Sequence, residues 1–466
     1  MWTKFHLKNF KGYEDSGLQE LRRLTVLIGP NGGGKSTILQ FLMLLKQTAE
    51  SSDTVTTIIS SVDRDKLGKG FGYVDLGQYK DYVFTGDTEK SVEFYLEWDP
   101  TYNPGREKRS KIDEALATEV RAIEVALIAP RPRYQVFVNT LKYWADSKPP
   151  PEEALQETPN DVLVSLERSQ RAAYVVEMAD DWRGDKLRNQ SRDYEPQKFY
   201  RLARSLLAEL PTETEEKFRT YVLEFEDRIV GTYYIGPLRE YPRRYYESTG
   251  ERPPDLGLKG EKIGIVLHAE YETLRDKTNT WLRKLGLAEA VSLSRISKGN
   301  LFHINIQGPG QQRPVNLADY GFGASQILPV IVECLYSPEG ATILIEQPEI
   351  HLNAHHQLEL PNFFAELLQT TRKQFIVETH SEYFLKRLGT LVLQGVLKPE
   401  EVNVLYCYAD ESGSHIHPIT LDEFGQYSWW PSDFLSEAYE GTVEYLEAAE
   451  SRMEADGETE EDADHA

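Results

Sequence analysis

Apolar and polar positions alternate along residues 2–10, the period of a strand whose two faces differ. A turn at Asn9, Phe10, Lys11, Gly12 and Tyr13 leads toward an uninterrupted apolar run at 24–28, which reads as a buried strand. Helical periodicity follows over 38–46. Further strand-like runs lie at 91–98, 121–128 and 134–144, separated by Pro-containing turns and a charged stretch at 103–111. Pro149, Pro150 and Pro151 mark a break. Helical spacing then dominates at 197–210 and 214–229, with Pro211 between them in a first-turn position, and residues 271–285 form another amphipathic helix. No heptad repeat is sustained, so this region predicts a compact arm and not a long coiled coil. From residue 301 the chain alternates: strand 301–307, helix 325–336, buried strand 342–345, helix 354–370, strand 374–378. This is the α/β class.

Between the apolar run at 24–28 and the helix at 38–46 stands GPNGGGKST, residues 29–37. Strand, glycine loop and helix in that order make a phosphate-binding loop, because glycines let successive backbone N–H groups turn toward phosphate oxygens at the positive end of a helix. The expected nucleotide-binding residues are Gly29, Asn31, Gly32, Gly33, Gly34, Lys35, Ser36 and Thr37. Lys35 would reach the β- and γ-phosphates, and Ser36 would ligate Mg²⁺. The loop lies near the N-terminus while the other motifs lie beyond residue 315, so the nucleotide fold is expected to be split. The predicted division is an N-terminal lobe at 1–100, an inserted mixed α/β helical arm at 101–230, a C-terminal lobe at 231–425, and a C-terminal helix with an acidic, disordered tail at 426–466.

Three downstream patterns carry chemistry. An apolar strand ends at Glu346 in ILIEQPEIHL, residues 343–352, and a carboxylate at the C-terminal edge of a parallel sheet suits a hard ion that prefers oxygen ligands. The strand 374–378 delivers His380 to the same kind of edge, where it would sense a γ-phosphate. A glycine-rich turn at 316–326 contains Gly321, Gly323 and Ser325 and opens an apolar helix. His351, His355 and His356 with Glu349 have zinc-like spacing, but loop and helix positions account for them.

Charge changes the picture in one respect. The net charge is −23, and ten acids against Arg452 beyond residue 443 leave about −14 on the body. Such a body repels DNA at long range, so contact with nucleic acid would need local patches such as Arg106, Lys108 and Arg109 or Arg239, Arg243 and Arg244. For both patches a solvated surface is the favoured reading. Cys334 and Cys407, the two cysteines, sit in apolar runs and read as small core residues. No apolar stretch approaches a membrane span and no signal-peptide core opens the chain, so a cytoplasmic protein is expected.

In combination, GPNGGGKST at 29–37, YGFGASQILPV at 320–330, ILIEQPEIHL at 343–352 and IVETHSEYFL at 376–385 resemble the ABC-type ATPases of the SMC and RecF group, and more closely the OLD-like ATPases of bacterial anti-phage systems. YIGPLRE at 234–240 and LKGE at 258–261 support the resemblance, and residues from about 100 to 230 match weakly. The resemblance implies an ABC-type P-loop ATPase head using ATP and Mg²⁺, in which two copies sandwich the nucleotide head to tail. Gly321, Gly323 and Ser325 would then approach the γ-phosphate held by the other copy, with the following helix adding its dipole. Gln78 is a weaker candidate for coupling Mg²⁺ to lobe motion.

Two departures stand out. Where related strands end in Asp-Glu, this chain has Glu346-Gln347, and Gln347 cannot accept a proton, so either it orients water or Glu349 supplies the base. Slow hydrolysis is the expectation, below about 10 s⁻¹. Gly321 also stands where a serine usually contacts the γ-phosphate. Fewer than ninety residues follow His380, too few for the nuclease domain of OLD proteins. The resemblance therefore implies an ATPase subunit with a separate effector nuclease, as in PARIS-type and, second, Septu-type defence systems, with a phage protein as a candidate trigger. The alternative is a RecF-like repair ATPase that binds DNA.

Overall fold

The computed structural model describes residues 1–53, 56–61, 72–100, 121–130, 135–145, 162–169, 174–178, 189–191, 195–210, 212–296 and 300–431. At its centre is a six-stranded sheet: β11 (Thr232–Ile235), β16 (Thr342–Glu346), β17 (Gln374–Glu378), β4 (Leu24–Ile28), β18 (Val402–Asp410) and β19 (Gly413–Ile419), in that spatial order. All neighbours run parallel except β18 and β19, which pair antiparallel. Every residue of β4, β16 and β17 is buried, as expected of parallel strands covered on both faces.

Alternate side chains of these strands enter two different cores. Leu27, Leu344 and Ile376 pack with α1 (Lys35–Glu50), α2 (Thr212–Val230) and the N-terminal sheet, whereas Val26, Ile28, Ile343, Ile345, Phe375 and Val377 pack on the other face. That second face is covered by α3 (Ile263–Ala269), α4 (Tyr271–Lys284), α5 (Phe322–Tyr336), α6 (Ala354–Thr370) and α7 (Glu382–Leu393). The strand period of two sends successive residues to opposite layers, which fixes the register. No described helix is long and apolar enough to cross a membrane.

The N-terminal sheet is antiparallel. It contains β1 (Trp2–Phe10), β2 (Tyr13–Asp15), β3 (Gln19–Glu20), β5 (Val92–Trp98), β6 (Arg121–Ile128), β7 (Phe137–Ala145), β8 (Val162–Arg168), β9 (Tyr174–Met178) and β10 (Asn189–Ser191). Strands β6 to β10 thus add one after another to the edge begun by β1 and β5, so the described strands of residues 101–191 continue a sheet. Four short strands, β12 (Tyr246–Glu247), β13 (Ala290–Arg295), β14 (Leu301–Gln307) and β15 (Val315–Asn316), form a third sheet.

One predicted helix is largely absent. Of 197–210, only Arg204–Leu207 is helical, because Lys198 adopts a left-handed φ of 52° and its ammonium donates to the carbonyls of Ala49 and Ser51 at 2.8 and 3.0 Å. Those are carbonyls at the end of α1, which lack intrahelical partners. A tertiary cap therefore overrides the local helical pattern. Pro149–Pro151, the basic stretch with Arg106, Lys108 and Arg109, and the acidic tail lie outside the described residues.

Candidate functional site

Parallel order brings the C-terminal ends of β4, β16 and β17 to one edge. Glu346 and Glu378 are register partners, and Glu378 in turn pairs with Leu27, two residues before Gly29. The glycine loop follows β4 directly and wraps toward α1. Two of its glycines are required by the close approach of another strand's backbone: a Cβ on Gly29 would lie 1.9 Å, and one on Gly33 2.3 Å, from the Cys407 carbonyl oxygen on β18. Asn31 and Gly32 are exposed, and Thr37 N–H donates to Gly34 O at 3.1 Å.

Lys35 is buried and folds back on its own loop, donating to the carbonyls of Gly29 and Pro30 at 2.9 and 2.8 Å. Burial lowers its pKa, opposed by the charges of Glu378 and Glu346. Ser36 Oγ donates to Glu378 Oε2 at 2.9 Å, and Tyr234 donates its hydroxyl hydrogen to Glu346 Oε1 at 2.6 Å. Burial raises the Glu346 carboxyl to about 7, with the Tyr234 hydrogen bond acting against it and the neighbouring Glu378 charge acting with it. Burial raises Glu378 as well, against its bond from Ser36 and the charge of Lys35. Ser36 and Glu346 offer oxygen donors, the chemistry Mg²⁺ takes, beside a loop shaped for phosphate, and Glu378 stands next to them on the Ser36 hydroxyl.

Beyond β16 the backbone turns sharply. Gln347 has a φ of 46°, its N–H donates to Glu378 O at 2.7 Å, and its carbonyl, with that of Glu346, accepts from the Arg239 guanidinium at 2.7–3.2 Å. Arg239 is 5% exposed, and burial lowers its pKa to about 10, which leaves it charged near neutrality. It is a clamp on this turn and not part of a surface patch. Arg243 and Arg244 remain exposed but are paired with Glu240 and Asp319. Glu349 Oε1 accepts from the His380 backbone N–H at 2.7 Å, and burial raises its pKa. His380 has its pKa lowered by burial and then by Lys35, so its imidazole is neutral near pH 7.

The glycine-rich turn packs on the loop that follows β16. A Cβ on Gly323 would lie 2.9 Å from His351 O, and the Phe322 ring meets the His351 ring edge-on at 4.5 Å. Gly321 is exposed at the N-terminus of α5, where no side chain caps the helix. Ser325 is buried and its hydroxyl donates to Phe322 O at 2.8 Å. Gln78 precedes a short helix, where its backbone N–H donates to Asp81 Oδ2 at 2.8 Å, and among the described residues no hydrogen bond joins it to Ser36 or Glu346.

The structure thus gathers Lys35, Ser36, Glu346, Gln347, Glu349 and His380 with three residues whose parts the sequence did not disclose: Glu378, Tyr234 and Arg239. Glu378 ends an apolar strand just as Glu346 does, and that was the available signal; Tyr234 and Arg239 carried none beyond their stretch.

Comparison with solved structures finds an SMC head bound to the C-winged helix domain of ScpA at 11% identity and a TM-score of 0.42, covering 90% of this chain and 98% of that one. The SMC head domain from Thermotoga maritima matches at 12% identity and a TM-score of 0.37, covering 90% and 98%. An Smc head domain with an extended coiled coil, bound to the C-terminal domain of ScpA and derived from Pyrococcus furiosus, matches at 10% identity and a TM-score of 0.41, covering 90% and 96%. No curated protein matches the chain. A family model described as an AAA ATPase domain matches residues 1–125 and 262–385. With that match extending over more than half of its residues, the chain belongs to the AAA ATPase domain family.

Proposed function

We propose that this chain binds MgATP at residues 29–37, hydrolyses it slowly, and uses the bound nucleotide to close two copies head to tail. The observation that carries the reading is the meeting of Lys35, Ser36, Glu346, Glu378 and His380 at one sheet edge. Lys35 exchanges its carbonyl partners in the loop for β- and γ-phosphate oxygens, and Ser36 with Glu346 holds Mg²⁺, which draws charge from the phosphates when bound. Neutral His380 offers a hydrogen bond toward the γ-phosphate.

Slow turnover follows from the carboxylates. Glu349 is buried and bonded to the His380 N–H, Glu346 is bonded to Tyr234, and Gln347 has no proton-accepting base, so water is oriented by Gln347 without an efficient acceptor. Pairing is supported by the open N-terminus of α5: Gly321 is exposed and the first-turn N–H groups lack a side-chain cap, a geometry suited to an anion brought by another molecule. The closed pair would act as a platform that senses an infection cue and controls a separate effector nuclease in anti-phage defence, the role implied by the resemblance to OLD-like subunits. For the RecF-like reading, Arg239 is buried, while Arg243 and Arg244 stay exposed and are each paired with an acid.

Molar mass by light scattering tests the proposal. Wild type with MgATP is expected to double in mass, and Lys35→Ala to stay at its nucleotide-free mass. A wild type that keeps one mass while saturated with ATP refutes the pairing.

A further inference from the structure

We propose that Glu378 is a positioning residue for the metal, acting through Ser36. Ser36 has one hydroxyl hydrogen, and it goes to Glu378 Oε2 at 2.9 Å and not to Glu346, whose Oε1 instead accepts from Tyr234. A hydroxyl that gives its hydrogen to a carboxylate turns its oxygen lone pairs the other way, which is the orientation a cation requires. Glu378 is held for that task. It is 3% exposed, it lies in register beside Glu346, and its backbone carbonyl accepts from the strained Gln347 at 2.7 Å.

Glu378 also binds the two halves of the site together, since its partner Ser36 lies 342 residues earlier on α1. Substituting the amide reverses the polarity of this contact: a glutamine presents N–H donors that can point at Ser36 Oγ and occupy the lone pair the metal needs. The inference rests on the reading of residues 29–37 as an MgATP site.

The test uses the full-length protein and a fluorescent methylanthraniloyl-ATP, measuring Kd in Mg²⁺ and in EDTA. The ratio of the two reports metal assistance alone. For Glu378→Gln the ratio is expected to fall by about tenfold or more, the usual effect of losing an outer hydrogen-bond partner of a metal ligand. Affinity in EDTA should not fall below wild type, since the substitution removes a negative charge beside the phosphates, whereas a general loss of structure would lower it. Ser36→Ala and the double variant Ser36→Ala/Glu378→Gln should show the same ratio, because both residues act through one oxygen. A wild-type ratio in Glu378→Gln, or losses that add in the double variant, overturns the inference. If Glu378→Gln does not fold, Glu378→Asp decides: the carboxylate is one methylene short of Ser36, and an unchanged ratio again overturns it. Equal ATP binding by wild type and Lys35→Ala would instead refute the MgATP site itself, a different result.

Discussion

Gly321→Asp separates nucleotide binding from pairing. Gly321 has φ −56° and ψ 142°, values any L-residue adopts, and a Cβ built there meets nothing within 4 Å. Aspartate is a favoured residue at a helix N-terminus, where it replaces glycine with a gain of about 0.3 kcal/mol. The variant monomer should therefore melt at or slightly above the wild-type temperature and bind ATP with unchanged affinity. In a head-to-tail pair, however, the new carboxylate faces the γ-phosphate of the other copy. At about 4 Å and an effective dielectric of about 20, two unit charges repel by about 4 kcal/mol. That is about three powers of ten in the association constant. Sedimentation of wild type and variant across a protein concentration series with saturating MgATP reads this directly, with a melting curve and an ATP titration as controls. Unchanged ATP-dependent association in Gly321→Asp would refute the placement of α5 against the partner's nucleotide.

Two further results are expected. Gly33→Ala should abolish ATP binding, because its Cβ would lie 2.3 Å from the Cys407 carbonyl, whereas Gly32→Ala, with open space but a φ of 79°, should retain binding and lose about 1 kcal/mol of stability; similar affinities in an ATP titration would contradict the close approach. Glu333 on α5 is fully buried, its carboxyl raised to about 7 by burial, and it accepts from Leu256 N–H and Ser337 Oγ. The folded chain thus keeps a proton that the unfolded chain loses near pH 4.3. This contribution is complete below that pH and is lost as pH rises through about 7, a fall of the order of 3 kcal/mol. Glu333→Gln keeps the packing and removes this share of the slope, while the raised carboxyls of Glu346, Glu349 and Glu378 keep theirs; urea midpoints at pH 5 to 8 that decline equally in both proteins would show that Glu333 contributes none of it.

Local pattern was enough for the parts of this protein that neighbouring residues decide. The loop at 29–37 was legible because strand, glycines and helix are contiguous, and the continuous apolar runs ending at Glu346 and Glu378 gave buried parallel strands because both faces of each are covered. The long helices at 271–284 and 354–370 were readable from their amphipathic period. The helix expected at 197–210 was not, since Lys198 is drawn to the carbonyls of Ala49 and Ser51, a contact that exists only once α1 is in place.

The partners within the site were likewise decided by tertiary structure. Ser36 and Glu378 are 342 residues apart, Tyr234 and Glu346 are 112 apart, and Arg239 reaches the Glu346 carbonyl across 107. Arg239 read from the chain as one of three surface arginines, yet it is buried where two carbonyls converge beyond β16. Sequence set which side chains end the strands, because hydrophobic burial and strand period act between near neighbours. Which carboxylate receives the Ser36 hydrogen depends on strand order, and strand order is fixed only when distant segments pack into one sheet.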